Sequence, residues 1–382
     1  MADELHVAPI EELRRRRSAK WRTHPADVLP LTVAEMDFGL AESVSDALRQ
    51  AIDLGDTGYA VPVPSLGEAF AGFAGVRWDW DVDAAQVTAI TDVGVGVVET
   101  LRLVTRPGDT VVVSPPVYPP FFDWVQEAGT RLGEVPLHHT DDGWRLDLPA
   151  LEHAFARRPA AYLLCNPHNP VGRVHDPDEL TELIGLATRY GVTIVSDEIH
   201  APLVLPGATF TPLLTVPGAP EVAVAVTSAS KAFNLAGLKC AAIVTGSSGM
   251  AARIQALPPD TRWRTGQFGL LATVAAYRDG GAWLDRLLVT LDRRRAQLTD
   301  LLATRLPPIA WTPPQATYLA WLDCRSLGDA DVAQRRFLER GRVALEPGPR
   351  FGNPGNGFAR LNFATSSDVL ADAVERMASA LP

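Results

Sequence analysis

Cysteine is scarce in this sequence: Cys165, Cys240 and Cys324 stand far apart in 382 residues and show no metal-ligand spacing. That excludes a disulfide framework and suits a reducing compartment. Cys165 and Cys240 sit in apolar runs, where a thiol is buried and inert rather than nucleophilic. The pair His138 and His139 has no carboxylate or Cys at ligand spacing, which argues against a metal site. Long apolar runs are missing too, and none approaches the roughly 18 residues of a membrane span. The opening residues, MADELHVAPIEEL, contain no apolar signal core, so the expected location is cytoplasmic. Positive charge is short: 35 Lys and Arg against 45 Asp and Glu give a net charge of -10, which opposes a nucleic-acid partner. The one basic run, Arg14 to Arg17, lies beside Glu11 and Glu12 in a helix expected over residues 10–21 and reads as a solvated or subunit-facing surface. Repeats and low-complexity linkers are absent.

What the chain has is alternation. Apolar, β-branched runs at 87–91, 110–114, 161–165, 192–196 and 222–227 read as buried strands, with helical patterns such as Pro177–Tyr190 between them. Each run ends in polar residues. This predicts a doubly wound α/β fold with its site along the carboxyl edge of the sheet. Beyond Gly246 the pattern turns helical, with an apolar face over 268–277 and a charged helix over 284–306. Pro307, Pro308, Pro313 and Pro314 then mark a boundary, followed by strands at 318–322 and 358–364 and helices at 330–340 and the end, a small α+β unit.

The chemistry concentrates at 222–239, VAVAVTSASKAFNLAGLK, where Ser228 and Ser230 lead from a strand into Lys231, with Lys239 beyond. A lysine among apolar neighbours and near another cation is poised as an amine nucleophile that forms Schiff bases. Hydroxyls and a second lysine suit a phosphate, so the stretch describes a pyridoxal phosphate pocket with the aldehyde on Lys231 and the phosphate among Ser228, Ser230 and Lys239. Taken alone, a surface-loop lysine is an equal reading. The turn Asp92-Val93-Gly94-Val95-Gly96 from strand to helix offers backbone N–H groups as a phosphate cradle, and Glu99 in the third glycine's place disfavours a dinucleotide site.

Prolines fix Tyr118 in PPVYPPF, where its ring either lies on a planar cofactor or packs in the core. NPHNPVG presents the Asn169 amide at a strand end. Asp197 closes an apolar strand and needs a partner, for which a protonated pyridine nitrogen is suited. Arg360, in FARLNFA, awaits either an anion or an internal salt bridge. Glu35 and Asp37 read as a cap for a helix over 41–54. Tyr59 lies in a Pro- and Gly-rich loop with no local support.

These motifs in this order, AEMDF, PPVYPPF, NPHNPVGR, SDEIH and SASKAFNLAGLK, resemble the fold-type I pyridoxal phosphate enzymes, the aminotransferase class I and II superfamily, in its cystathionine β-lyase or cysteine-S-conjugate β-lyase branch. The resemblance implies a large domain with a mostly parallel seven-stranded sheet plus a smaller α+β domain. The expected division is an arm and part of the small domain at 1–48, a large cofactor-binding domain at 49–283, and a C-terminal small domain at 284–382. It also implies that Lys231 is the Schiff-base lysine, that Asp197 partners the pyridine nitrogen, that Asn169 binds the phenolic oxygen, and that Tyr118 stacks on the ring. The phosphate would lie with the Val93 and Gly94 amides, Ser228, Ser230 and Lys239, and Arg360 would clamp the substrate carboxylate. Tyr59 would reach the neighbouring subunit's phosphate, which implies a homodimer. Thr32 stands where many members carry Trp. His200 stands where aspartate-type aminotransferases carry Tyr, and this favours β-elimination from an S-substituted cysteine over transamination. An amino acid aminotransferase is the rival, and a regulatory protein keeping the fold is the third class.

Overall fold

The structure is a computed structural model that describes residues 4–61, 64–140, 143–328 and 330–381. Its centre is a sheet of seven strands among the described residues. In chain order they are β1 (Val87–Ile90), β2 (Thr110–Val113), β3 (Arg131–Glu134), β4 (Ala161–Cys165), β5 (Thr193–Asp197), β6 (Ala223–Thr227) and β7 (Ala241–Thr245). Across the sheet the order is β1-β7-β6-β5-β4-β2-β3. The run from β6 to β3 is parallel, and β7 is antiparallel to both its neighbours.

Every residue of β4, β6 and β7 is buried, as unbroken apolar strands covered on both faces must be. Successive side chains serve opposite layers. Leu163, Val195, Val226 and Ile243 join one cluster with Val97 and Leu101 of the helix Val93–Val104, while Tyr162, Leu164, Ile194, Ala225 and Val244 join the other. Gly96 lets that helix lie close to the sheet, because a Cβ there would meet Val226 Cγ1 at 2.9 Å. Local chemistry fixes the helix ends. The Asp92 side chain accepts from Val95 N at 2.9 Å. Asp176 and Glu179 form a capping box before Pro177–Tyr190, which stops at left-handed Gly191.

A second sheet carries the C-terminal part: β8 (Ala310–Trp311), β9 (Leu319–Asp323), β10 (Glu346–Pro347) and β11 (Phe358–Asn362), ordered β8-β9-β11-β10 and antiparallel throughout. The limits expected at 48/49 and 283/284 fall inside the helices Glu42–Asp53 and Gly281–Arg305. Among the described residues no helix is long and apolar enough to cross a membrane.

Two expectations fail at the N-terminal arm. The helix over 10–21 is instead two short pieces, Ile10–Leu13 and Ala19–Arg22, with extended Ser18 between them. Arg16 explains the break, since its guanidinium donates to the carbonyls of Met36 and Asp37 at 3.1 and 3.0 Å, so this member of the basic run serves the fold rather than solvent. Asp37 caps no helix. Glu42–Asp53 starts at Ala41 without a side-chain cap, and the Asp37 carboxylate takes Lys20 Nζ at 2.8 Å and Trp21 Nε1 at 3.0 Å.

Candidate active site

The carboxyl ends of the parallel strands, the start of the helix Val93–Val104 and the second sheet enclose a cavity of about 470 Å³. Gly94, Tyr118, Asn169, Asp197, Lys231 and Arg360 all line it. Residues from six separate stretches thus meet where an open α/β sheet binds ligands.

Lys231 follows the turn after β6, and its Nζ donates to the Ala34 carbonyl at 2.9 Å. Burial and the positive charge of Arg360 push its pKa down to about 8, so a useful fraction is neutral amine near neutral pH. Asp197, the last residue of the adjacent strand β5, is pushed up to about 7 by burial, against which the Ile199 N–H and Lys231 pull it down. Its neighbour Glu198 is a contrasting buried acid: Glu198 Oε1 accepts from Ser196 Oγ and Leu213 N, both at 3.0 Å, and from Asn166 Nδ2 at 3.3 Å. Glu198 is satisfied by the fold and does not line the cavity, whereas Asp197 faces it and has no cation in hydrogen-bonding contact among the described residues.

Arg360 lies in the wholly buried strand β11. It donates from Nη1 to Asn169 Oδ1 at 3.1 Å and from Nη2 to the Thr32 carbonyl at 2.8 Å, over the Phe351 ring, while Nε is buried without a partner. No ion pair to Arg360 occurs among the described residues, so the internal salt bridge is set aside and a buried cation awaits an anion. Because Asn169 Oδ1 serves Arg360, its amide N–H groups remain to donate into the cavity. Tyr118 lies edge-on to Trp124 and Phe121 at 5.8 and 6.3 Å, and burial raises its pKa.

At the opposite end lies the expected anion cradle. Val93 and Gly94 open the helix and line the cavity with Ser230 and Lys239. A Cβ at Gly94 would sit 2.9 Å from Trp124 Nε1, so only glycine keeps this floor open. Lys239 Nζ rests 3.1 Å from Asp92 Oδ2. Ser228 does not line the cavity: its hydroxyl donates to the Cys240 carbonyl at 2.6 Å and stands 2.5 Å from Ser230 Oγ, so it braces Ser230. Tyr59 is also outside, 88% exposed on its loop.

Several lining residues carry no signal in the sequence. Val33 and Ala34 contribute through a backbone that only the tertiary fold brings to Lys231, Trp124 sits on an otherwise ordinary amphipathic helix, and Glu346 arrives by strand register. His200 lines the cavity as well, held neutral by burial and by the charges of Lys231 and Arg360, which push its pKa down to about 3.

The aminotransferase class I and II family matches residues 26–377. The chain belongs to that family. Among its aminotransferase class I and II relatives, a candidate cystathionine beta-lyase of Mycobacterium leprae is 48% identical over 402 residues, covering 100% of this chain and 98% of its own. Cystathionine beta-lyase PatB of Bacillus subtilis is 36% identical, covering 97% and 98%. The crystal structure of cystalysin from Treponema denticola, which contains pyridoxal 5'-phosphate, superposes with a TM-score of 0.93 at 27% identity, covering 100% of this chain and 99% of that one.

The residues of this family member fit that cofactor. The cavity has an amine at Lys231, an acid at Asp197 that wants a cation, a helix N-terminus beside Ser230 and Lys239 for a phosphate, and Tyr118 on its wall.

Proposed function

We propose that the protein is a pyridoxal 5'-phosphate-dependent carbon-sulfur β-lyase that cleaves cystathionine or another cysteine S-conjugate to a thiol, pyruvate and ammonia. The observation that carries this is one cavity holding a buried amine with its pKa near 8, a buried acid near 7, and an unpaired buried guanidinium. Similarity to cystathionine beta-lyases along the full chain supports elimination as the outcome.

When bound, pyridoxal phosphate supplies a sink for the electron pair left at the substrate Cα. The chain's residues do the rest. Arg360 receives the substrate carboxylate, and its fixed fork sets the Cα–H bond in one orientation. Lys231 Nζ, partly neutral because it is buried beside Arg360, takes the Cα proton. Asp197 offers its carboxylate to the cofactor's ring nitrogen and keeps that nitrogen protonated by ion pairing. Asn169 donates its amide N–H to the phenolic oxygen. Departure of the sulfur substituent from Cβ as thiolate leaves a product that water hydrolyses to pyruvate and ammonia.

The working unit in this reading is a homodimer in which Tyr59 reaches the neighbour's phosphate. Its support is an exposed tyrosine on a segment that also exposes Ile52, Leu54 and Val61. Three buried free thiols suit the cytoplasm.

Purified, cofactor-loaded protein should release equal amounts of thiol and pyruvate from L,L-cystathionine. No pyruvate from any S-substituted cysteine, with amino-acid-dependent build-up of pyridoxamine phosphate instead, would make it an aminotransferase.

A further inference from the structure

Beside the carboxylate clamp stands a second pair of charges that the proposed chemistry does not use. Glu346, in β10, lies directly across from Arg360 in the register of the second sheet. Arg350, one short turn later, closes an ion pair with it. The two are unequally placed, with the Glu346 side chain 14% exposed and the Arg350 side chain 63% exposed. Both line the catalytic cavity, and both also line a second hollow of about 540 Å³ between the N-terminal arm and the helix Ala330–Glu339. With Val33, they are the residues the two spaces share. The pair therefore stands on the ridge between the catalytic cavity and the second hollow.

The charges lining the catalytic cavity can be assigned one by one. Lys239 pairs with Asp92 at the anion cradle, Asp197 and Lys231 serve the cofactor, and Arg360 takes the α-carboxylate, with His200 held neutral. Glu346 and Arg350 remain. A cysteine conjugate anchored by its carboxylate on Arg360 and its amine toward Lys231 must project its sulfur substituent elsewhere, and the shared ridge leads to the second hollow. A half-exposed ion pair is held weakly, so it opens to admit a ligand carrying the same two charges.

We infer that Glu346 and Arg350 form a subsite for the far end of the sulfur substituent, and that the preferred conjugates carry an amino-carboxylate there, its ammonium on Glu346 and its carboxylate on Arg350. This rests on the lyase reading for the identity of the substrate, though not for the existence of the subsite.

The test compares cofactor-loaded wild type, Arg350→Gln and Glu346→Gln on four ligands: L,L-cystathionine, S-(2-carboxyethyl)-L-cysteine, S-(2-aminoethyl)-L-cysteine and S-ethyl-L-cysteine. Dissociation constants come from the ligand-induced change in cofactor absorbance, and pyruvate is measured separately. Relative to S-ethyl-L-cysteine, Arg350→Gln should weaken cystathionine and the carboxyethyl conjugate roughly two- to fivefold, the size of one partly exposed charge pair. Glu346→Gln should do the same to cystathionine and the aminoethyl conjugate. Equal weakening of all four ligands would mean that Glu346 only steadies Arg360, and no weakening would mean a plain surface pair; either overturns the subsite. Absence of pyruvate with the binding pattern intact would overturn the lyase reading alone.

Discussion

At the scale of single residues, the site is built from charges the fold holds at a cost. Asp197 titrates near 7 in the folded chain, against an ordinary carboxyl value of 3.8, because it is buried. A raised folded pKa gives stability that is present below about pH 4 and is lost as pH rises through 7. Lys231 is the mirror case, with a folded value near 8 against 10.5, so its contribution is present above that upper value and lost as pH falls through 8. Cofactor-free protein at neutral pH therefore carries both penalties. Asp197→Asn should raise the melting temperature of the cofactor-free protein at pH 8, from a gain of up to about 4 kcal/mol, with the gain shrinking toward pH 4. In the loaded enzyme the same change should lower kcat by roughly a hundredfold or more, because the ring nitrogen loses its counter-charge. Thermal melts at the two pH values check the first expectation, and an equal shift at both would remove burial as the cause. Arg360→Lys keeps the charge but loses the fork, so KM should rise roughly ten- to a hundredfold while kcat changes less. Steady-state kinetics on cystathionine would expose a different origin if kcat alone fell.

At the scale of elements, the segment of residues 32–37 holds the site together from outside the main sheet. Its Thr32 and Ala34 carbonyls receive Arg360 and Lys231, and Tyr318 Oη also donates to Ala34 O at 2.9 Å. The segment is fastened by Asp37 and Lys20, whose side chains are each 1% exposed. Breaking one half of a buried pair leaves an uncompensated charge, so Asp37→Ala should destabilise by roughly 3–5 kcal/mol. Lys20→Met with Asp37→Ala should recover most of that. Urea denaturation measures both, and a loss below about 1 kcal/mol for the single change would show that the pair contributes little. This fastening was not legible in the sequence, because the partners lie 17 residues apart and the expected helix leading into Lys20 is broken where Arg16 bonds the Met36 and Asp37 carbonyls, a tertiary contact that overrides local propensity. The central strands were legible, since a strand buried on both faces must be written as an apolar run, as Ala161–Cys165 and Ala223–Thr227 are. The edge strand Arg131–Glu134, exposed at both ends, carries no such signature. The same logic divides the site. Asp197 and Arg360 stood out as charges inside apolar strands and Lys231 as one just beyond such a strand, whereas Glu346 joins through cross-strand register, which sequence order does not display.

At the scale of the whole molecule, the question is what completes the site. The cavity collects residues from eight stretches of one chain, yet Tyr59 stands 88% exposed on a loop that adds nothing to its walls. Ile52, Leu54 and Val61 nearby are exposed as well, and the proposed homodimer, in which Tyr59 reaches the neighbour's phosphate, would bury them against a second copy. Subunit complementation tests this directly. Lys231→Ala should abolish pyruvate release, and Tyr59→Phe should weaken cofactor binding by roughly tenfold, the loss of one hydrogen bond to a charged group. In a mixed dimer, the subunit carrying Tyr59→Phe retains Lys231, and its partner carrying Lys231→Ala lends the missing tyrosine. Co-refolding the two variants should therefore restore one intact site per mixed dimer and, at limiting cofactor, raise activity above the mean of the separate variants. Sedimentation should show the dimer. Activity that stays at the simple average, or a monomer with full activity, would place Tyr59 outside the reaction and leave each chain to work alone.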